Sequence, residues 1–242
     1  FSLYNVGFTA GIVGMVVLGF LNAFEIVVET KTLTSTESPL ILYGILIGLC
    51  VVLLATSFYL HFKKKEKYHF KLLLKLSGRL PSDFVEMTNL ATVTFNMSIM
   101  GLILLGYVMI NGGQLNGPIV GSIIGAMSFG AFGNQVKNTV PVLVGIMIGC
   151  YVTGVDAAST SALVAAIFGT TLAPVSGYYG PLAGVIAGFV HITLVSHVVV
   201  MHGGLNLYNN GFAGGFVAAV LVPIFEIFEG IRQDIKERKA EG

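Results

Sequence analysis

The chain has 242 residues, 55% of them hydrophobic and only 10% charged, with a formal net charge of +1 and a mean hydropathy of +0.85. A soluble domain carries about 25% charged residues, so this composition excludes an ordinary soluble fold, and the balanced charge offers no basic surface for a nucleic acid. The two cysteines, Cys50 and Cys150, both lie in apolar runs and read as small buried hydrophobes, not as a disulfide or a metal pair.

Taken in chain order, hydropathy predicts membrane spans at 7–28, 39–60, 91–110, 138–155, 181–201 and 211–228. Each is close to the roughly 20 apolar residues that cross a bilayer as a helix. Two segments, 117–133 and 157–172, are shorter and flanked by Gly, Pro, Asn, Ser and Thr. They are expected to be re-entrant half-helices, which suits discontinuous helices lining a path. The fold class expected is an all-α polytopic bundle. The chain begins at Phe1 with no recognisable signal peptide, and is expected to lack an N-terminal half of the same protein.

Charge sets the expected orientation. Of the 13 Lys and Arg residues, seven lie within 63–79 and four (Arg232, Lys236, Arg238, Lys239) follow the last span. The positive-inside rule places both clusters in the cytoplasm of a cell (plasma) membrane protein. Asp83 and Glu86 have capping-box spacing, so the next helix is expected to start there. Glu86, Asn89 and Asn96 are then expected on one inward-facing side of it.

The two ends of the chain repeat one another. Over 3–25 against 207–229, 10 of 23 positions are identical at a constant offset of 204, including Tyr4/Tyr208, Asn5/Asn209, Gly7/Gly211, Gly11/Gly215 and Glu25/Glu229. With the loop at 63–79 and the C-terminus on one side, the two copies enter the membrane in opposite directions, which predicts an inverted-topology repeat. The expected organisation is 1–28 as the last helix of a preceding repeat, 29–230 as one complete membrane unit, and 231–242 as a cytoplasmic tail.

Polar side chains inside spans are costly and are functional candidates. His191 lies mid-span with Gly184 and Gly188 on its face, so it is expected to point into the bundle. Its bland reading is a neutral imidazole satisfied by a neighbouring carbonyl. His197 and His202 lie further toward the outer face and are expected in a wet vestibule of the substrate pathway, since they lack the i, i+4 spacing that puts two metal ligands side by side. No metal site and no cofactor are expected. The turn holding Asn206, Tyr208, Asn209 and Asn210 offers uncharged donors and acceptors, and Tyr4 and Asn5 are its counterparts in the first copy. Asn96, Asn116 and Asn134 complete the expected substrate pathway. Pro118 is expected at the start of a short helix whose N–H groups would face a solute. Gly117, Gly121 and Gly125, and likewise Gly180, Gly184 and Gly188, are expected to be helix-packing faces.

No nucleophile elbow, phosphate loop or paired intramembrane aspartate is present, so the chain is not expected to be an enzyme. The expected function is transport or conduction of a small neutral or weakly charged polar solute. The alternatives are an intramembrane His-dependent metal enzyme and a membrane scaffold or subunit. The expected partners are the lipid bilayer, that solute, the missing N-terminal half and, in a homo-oligomer, further copies of the chain.

Three stretches, His202-Gly-Gly-Leu-Asn-Leu-Tyr-Asn-Asn-Gly-Phe212, Ala131-Phe-Gly-Asn-Gln-Val-Lys-Asn138 and Gly169-Thr-Thr-Leu-Ala-Pro174, resemble domain-of-unknown-function family 1576 over nearly the whole chain. The resemblance implies a multi-span prokaryotic membrane protein, of which this chain would be a C-terminal part, and implies no activity.

Overall fold

The computed structural model describes residues 1–27, 35, 39–202 and 209–241, with Asn5 and 232–241 described by their backbone alone. All regular structure in them is helical: α1 (Asn5–Ala23), α2 (Pro39–Lys63), α3 (Phe70–Leu73), α4 (Phe84–Met87), α5 (Leu90–Ile110), α6 (Gly117–Ser128), α7 (Val136–Thr153), α8 (Thr160–Gly169), α9 (Ala173–Tyr179), α10 (Pro181–Met201) and α11 (Asn209–Glu241). A 3₁₀ turn follows α6 at Phe129–Ala131, and another follows α8 at Thr170–Leu172. Among the described residues, seven stretches are long and apolar enough to cross a membrane, and Gly117–Ala131 is apolar but shorter.

The tightest packing joins α7 to α10. A methyl group on Gly145 would strike the backbone of Val185, and one on Gly188 would strike that of Val142. Gly149 faces Ile192 and Gly184 faces Pro141. Glycines one turn apart on both helices let the backbones touch, the small-residue mode of membrane helices. Residue numbers rise together along this contact, so α7 and α10 run parallel. The chain between them, which contains α8 and α9, must therefore return over the whole depth of the pair. The re-entrant reading of 157–172 gives way to a crossing segment, Thr160–Tyr179. The signal misread was the helix break. Pro174 has no N–H to give Thr170, so the ladder is interrupted without the chain turning back.

The first short segment, shorter than a membrane span, runs back along the preceding helix. Asn96 reaches Gly130 and Gly101 faces Met127, so α6 runs antiparallel to α5. Its start lies beside that of α8, where Asn116 Nδ2 donates to Thr160 Oγ1 at 2.7 Å. Its 15 residues including the 3₁₀ turn cover about 23 Å and end at the level of Asn96. The loop after α3 closes the remaining depth. Gln135 Nε2 donates to the carbonyl of Leu76 at 3.3 Å and Asn138 Nδ2 to that of Ser77 at 3.1 Å. Gly78 sits at φ +78° with its α-carbon against the carbonyl of Gly133, where no side chain fits. The segment 68–76, which includes α3, is thus folded onto helix ends, with Leu73 fully buried.

The start of the third span differs from expectation. Asp83 caps only the four-residue α4, and Asn89 caps α5 separately, accepting from Thr92 N at 2.9 Å. Glu86 is exposed in α4 and does not share a helix face with Asn96. The stripe of Gly117 and Gly121 also differs, because both are exposed with nothing near them, whereas Gly184 and Gly188 are packing positions. Cys50 and Cys150 are buried free thiols.

The two copies of the repeated motif cross. A Cβ on Gly7 would lie 2.8 Å from the α-carbon of Gly211, and one on Gly211 would lie 2.6 Å from that of Gly7. A Cβ on Gly11 would lie 2.8 Å from the Phe212 ring, and one on Gly215 would meet the Phe8 ring in the same way. The Phe8 and Phe212 rings stack at 5.7 Å. Each contact i to j is matched by its counterpart j to i, the mark of local two-fold symmetry. The helices run in opposite senses: Phe1, ahead of α1, lies with Val222 far along α11, whereas Gly11 lies beside the start of α11.

Candidate functional site

The breaks in the two short segments bring polar groups into the apolar bundle at one depth. Asn96 projects from α5 fully buried, and its Nδ2 donates to the carbonyls of Gly130 and Asn134, both at 2.8 Å. Asn134 Nδ2 donates to Thr170 Oγ1 at 3.1 Å, and that hydroxyl donates to the carbonyl of Ile167 at 2.6 Å. The two 3₁₀ turns are thereby linked. Tyr4 lies against both, with its ring 6.0 Å from Phe168 and 6.3 Å from Phe129. Leu3 N donates to the carbonyl of Thr171 at 3.0 Å, which fixes the entry to α1 on the second turn.

His191 projects from the middle of α10 into this region and is fully buried. Its Nε2 lies 3.2 Å from the carbonyl of Ala165. A carbonyl only accepts, so in the neutral ring Nε2 carries the hydrogen and Nδ1 keeps its lone pair. Nδ1 has no hydrogen-bond partner among the described residues. The sequence expectation of a satisfied imidazole therefore holds for one nitrogen only. Asn210, in the first turn of α11, lies beside His191, but its Oδ1 falls short of hydrogen-bond geometry.

Seven buried side-chain atoms lack a partner among the described residues: Ser2 Oγ, Asn96 Oδ1, Asn134 Oδ1, Thr171 Oγ1, Ser176 Oγ, His191 Nδ1 and Asn210 Oδ1. Native proteins bury few such groups, and each costs about 1–3 kcal/mol when left unsatisfied. All seven are able to accept. The amide orientations are fixed by the carbonyls and the hydroxyl that Asn96 and Asn134 donate to, so their free atoms are oxygens.

The chain matches the family described as "Protein of unknown function (DUF1576)" over residues 62–227, more than half its length. It belongs to the DUF1576 family. No curated protein and no solved structure matches it.

In this DUF1576 chain the residues expected from sequence divide into three groups. His191, Asn96, Asn134, Asn210 and Tyr4 meet around the helix breaks. His202 and Asn209 form a separate joint. The ring pairs through Nδ1 with the Asn209 amide at 2.6 Å, and its Nε2 donates to the carbonyl of Gly11 at 2.9 Å, bracing α11 against α1. His197 is exposed and bonded within its own helix, to Thr193 and Ser196. Asn116 caps α6, accepting from Ile119 N at 3.1 Å, so the helix start that Pro118 marks is closed by the chain itself. Asn206 and Tyr208 lie outside the described residues, as does the side chain of Asn5. The described histidines, cysteines and carboxylates form no group of three with metal-site spacing. Sequence reading missed Ser2, Thr170, Thr171 and Ser176. Hydroxyls are common in membrane helices, where they bond the preceding turn, and only the three-dimensional arrangement singles these out.

Proposed function

We propose that this DUF1576 chain is part of a transporter or channel for a small neutral or weakly charged polar solute. Its path follows the interface between two repeats of inverted topology, in a plasma membrane with the C-terminus cytoplasmic. The observation that carries the reading is the set of uncharged acceptors, without partners among the described residues, buried beside the crossing of α1 and α11. A structural core gains nothing from leaving them unpaired, whereas a solute stripped of water needs such groups at the midplane. The opposite senses of α1 and α11, with reciprocal contacts between equivalent residues, support the inversion. The scarcity of charge in the cluster supports an uncharged or weakly charged solute over a strongly charged one.

The test is uptake into liposomes that carry the full chain, with a panel of small polar solutes including formamide, acetamide, glycerol and ammonium. At least one solute is expected to enter faster than into protein-free vesicles. His191→Ala is expected to reduce that flux at least tenfold while the protein still melts cooperatively. A panel in which no solute enters faster removes the reading, and flux unaffected by His191→Ala removes His191 from the path.

A further inference from the structure

One part of the cluster has the form of a cradle. The position that a Cβ on Gly214 would occupy lies 3.2 Å from Thr171 Oγ1, 3.8 Å from Ser2 Oγ and 3.9 Å from His191 Nδ1. These three side chains come from three separate parts of the chain: the second 3₁₀ turn, the entry to α1, and the middle of α10. Thr171 and His191 are fully buried and Ser2 is 4% exposed. Among the described residues the three named atoms have no hydrogen-bond partner, nor does Oδ1 of Asn210, four residues before Gly214 on α11. A side chain at residue 214 would point among them. A groove of about 380 Å³ between Phe8 and the Gly215–Val222 face of α11 has Ser2 in its wall, and so adjoins the cradle.

The chemistry of the cradle is one-sided. It has an imidazole lone pair, an amide oxygen and two hydroxyls. Among the four unpartnered atoms the two hydroxyls alone can donate, while all four can accept. Both amide hydrogens of Asn96 and one of those of Asn134 nearby are committed elsewhere. An anion would meet lone pairs here. A group bearing several N–H hydrogens would satisfy them, and the imidazole nitrogen favours such a donor over an alkali ion, which prefers oxygen ligands. We propose that Ser2, Thr171, His191 and Asn210 form a binding site for a small solute rich in N–H donors, either an ammonium ion or a primary amide. This rests on the reading above, because it names the class of solute taken by the same path.

Gly214 supplies a test that leaves the fold intact. Its backbone is helical, and its equivalent in the first copy of the motif is Ala10. Alanine also favours a helix over glycine. Gly214→Ala is therefore expected to melt no lower than the parent while placing a methyl group inside the cradle. Thr171→Val, which keeps the shape and removes one hydroxyl, provides a second variant.

Binding is measured by calorimetric titration of the full chain in detergent with ammonium chloride, formamide, sodium chloride and sodium formate. Ammonium or formamide is expected to bind, with affinity at least tenfold weaker in Gly214→Ala and also weakened in Thr171→Val. Ammonium alone identifies a cation site, and formamide alone a neutral amide site. The proposal is overturned if neither donor binds, if sodium or formate binds as well as the donors do, or if both variants bind as the parent does. Donor binding without liposome flux leaves the cradle standing and removes transport. Flux that shows no preference for N–H donors does the reverse.

Discussion

Asn96 shows how much one buried amide decides. Its NH₂ group holds two carbonyls, those of Gly130 and Asn134, at the end of the first short segment. Asn96→Asp replaces two donors with an acceptor, so carboxylate oxygens would face carbonyl oxygens in an apolar interior. Each lost hydrogen bond is worth about 1 kcal/mol and each stranded carbonyl costs about 1–3 kcal/mol. Asn96→Asp is expected to melt well below both the parent and Asn96→Ala, as read by thermal unfolding in detergent. A variant equal in stability to Asn96→Ala would mean that the two bonds are not made. At this scale much of the cluster was legible. A polar residue in the middle of an apolar run is conspicuous, and His191, Asn96 and Asn134 were found that way. Ser2 and Thr171 were not, because a hydroxyl in a span ordinarily bonds its own backbone. His197 stands apart from the cluster and bonds to Thr193 on its own helix.

Among the elements, glycine had two meanings that the sequence could not separate. On α7 and α10 glycines one turn apart remove the side chains that would hold the backbones apart. On α6, Gly117 and Gly121 have the same spacing and touch nothing. Spacing identifies a stripe and not what covers it. Gly188→Ala drives a methyl group into the backbone of Val142, and overpacking of this kind costs about 1–3 kcal/mol. Gly121→Ala meets open space and gains up to about 1 kcal/mol of helix propensity. Thermal melts of the two variants are expected to move in opposite directions, and a shared direction would mean that α7 and α10 do not pack as described. Span positions were legible because an apolar run of that length has few other uses: three of the six long predictions lie within two residues of the helices at both ends, and a fourth, 39–60, stops three residues before the end of α2. The exceptions have local causes. Glu25 adopts φ +55° and α1 stops at Ala23, short of the predicted end, while α11 carries its helix on into the charged tail. Whether a short, broken segment crosses was not legible. Length and flanking residues are the same for a half-helix and for a crossing helix interrupted by Pro174, and it took the parallel course of α7 and α10 to separate them.

For the whole molecule the governing relation is between two motifs 204 residues apart. Seven segments separate the start of one from the start of the other when both short segments cross, and an odd number reverses direction. The same reversal would follow from five, so the inference of opposite entry does not depend on whether the short segments cross. The contact between the copies adds a constraint that sequence could not supply, because only glycine at both Gly7 and Gly211 lets the two backbones meet. Glu25 and Glu229 are equivalent positions near the far ends of α1 and of the apolar part of α11, and both are exposed. Two helices that cross near their starts and run in opposite senses carry such ends apart. In a background with Cys50 and Cys150 replaced by Ala, single cysteines at Glu25→Cys and Glu229→Cys are expected to react with an impermeant maleimide from opposite sides of oriented vesicles. Their separation along the membrane normal is set by about 18 residues beyond the crossing on each helix, at 1.5 Å per residue. That is more than the roughly 30 Å hydrocarbon core even when both helices tilt. Labelling of both from one side would require α1 and α11 to run the same way, and a polar cradle formed between their starts would then have no second half to close it.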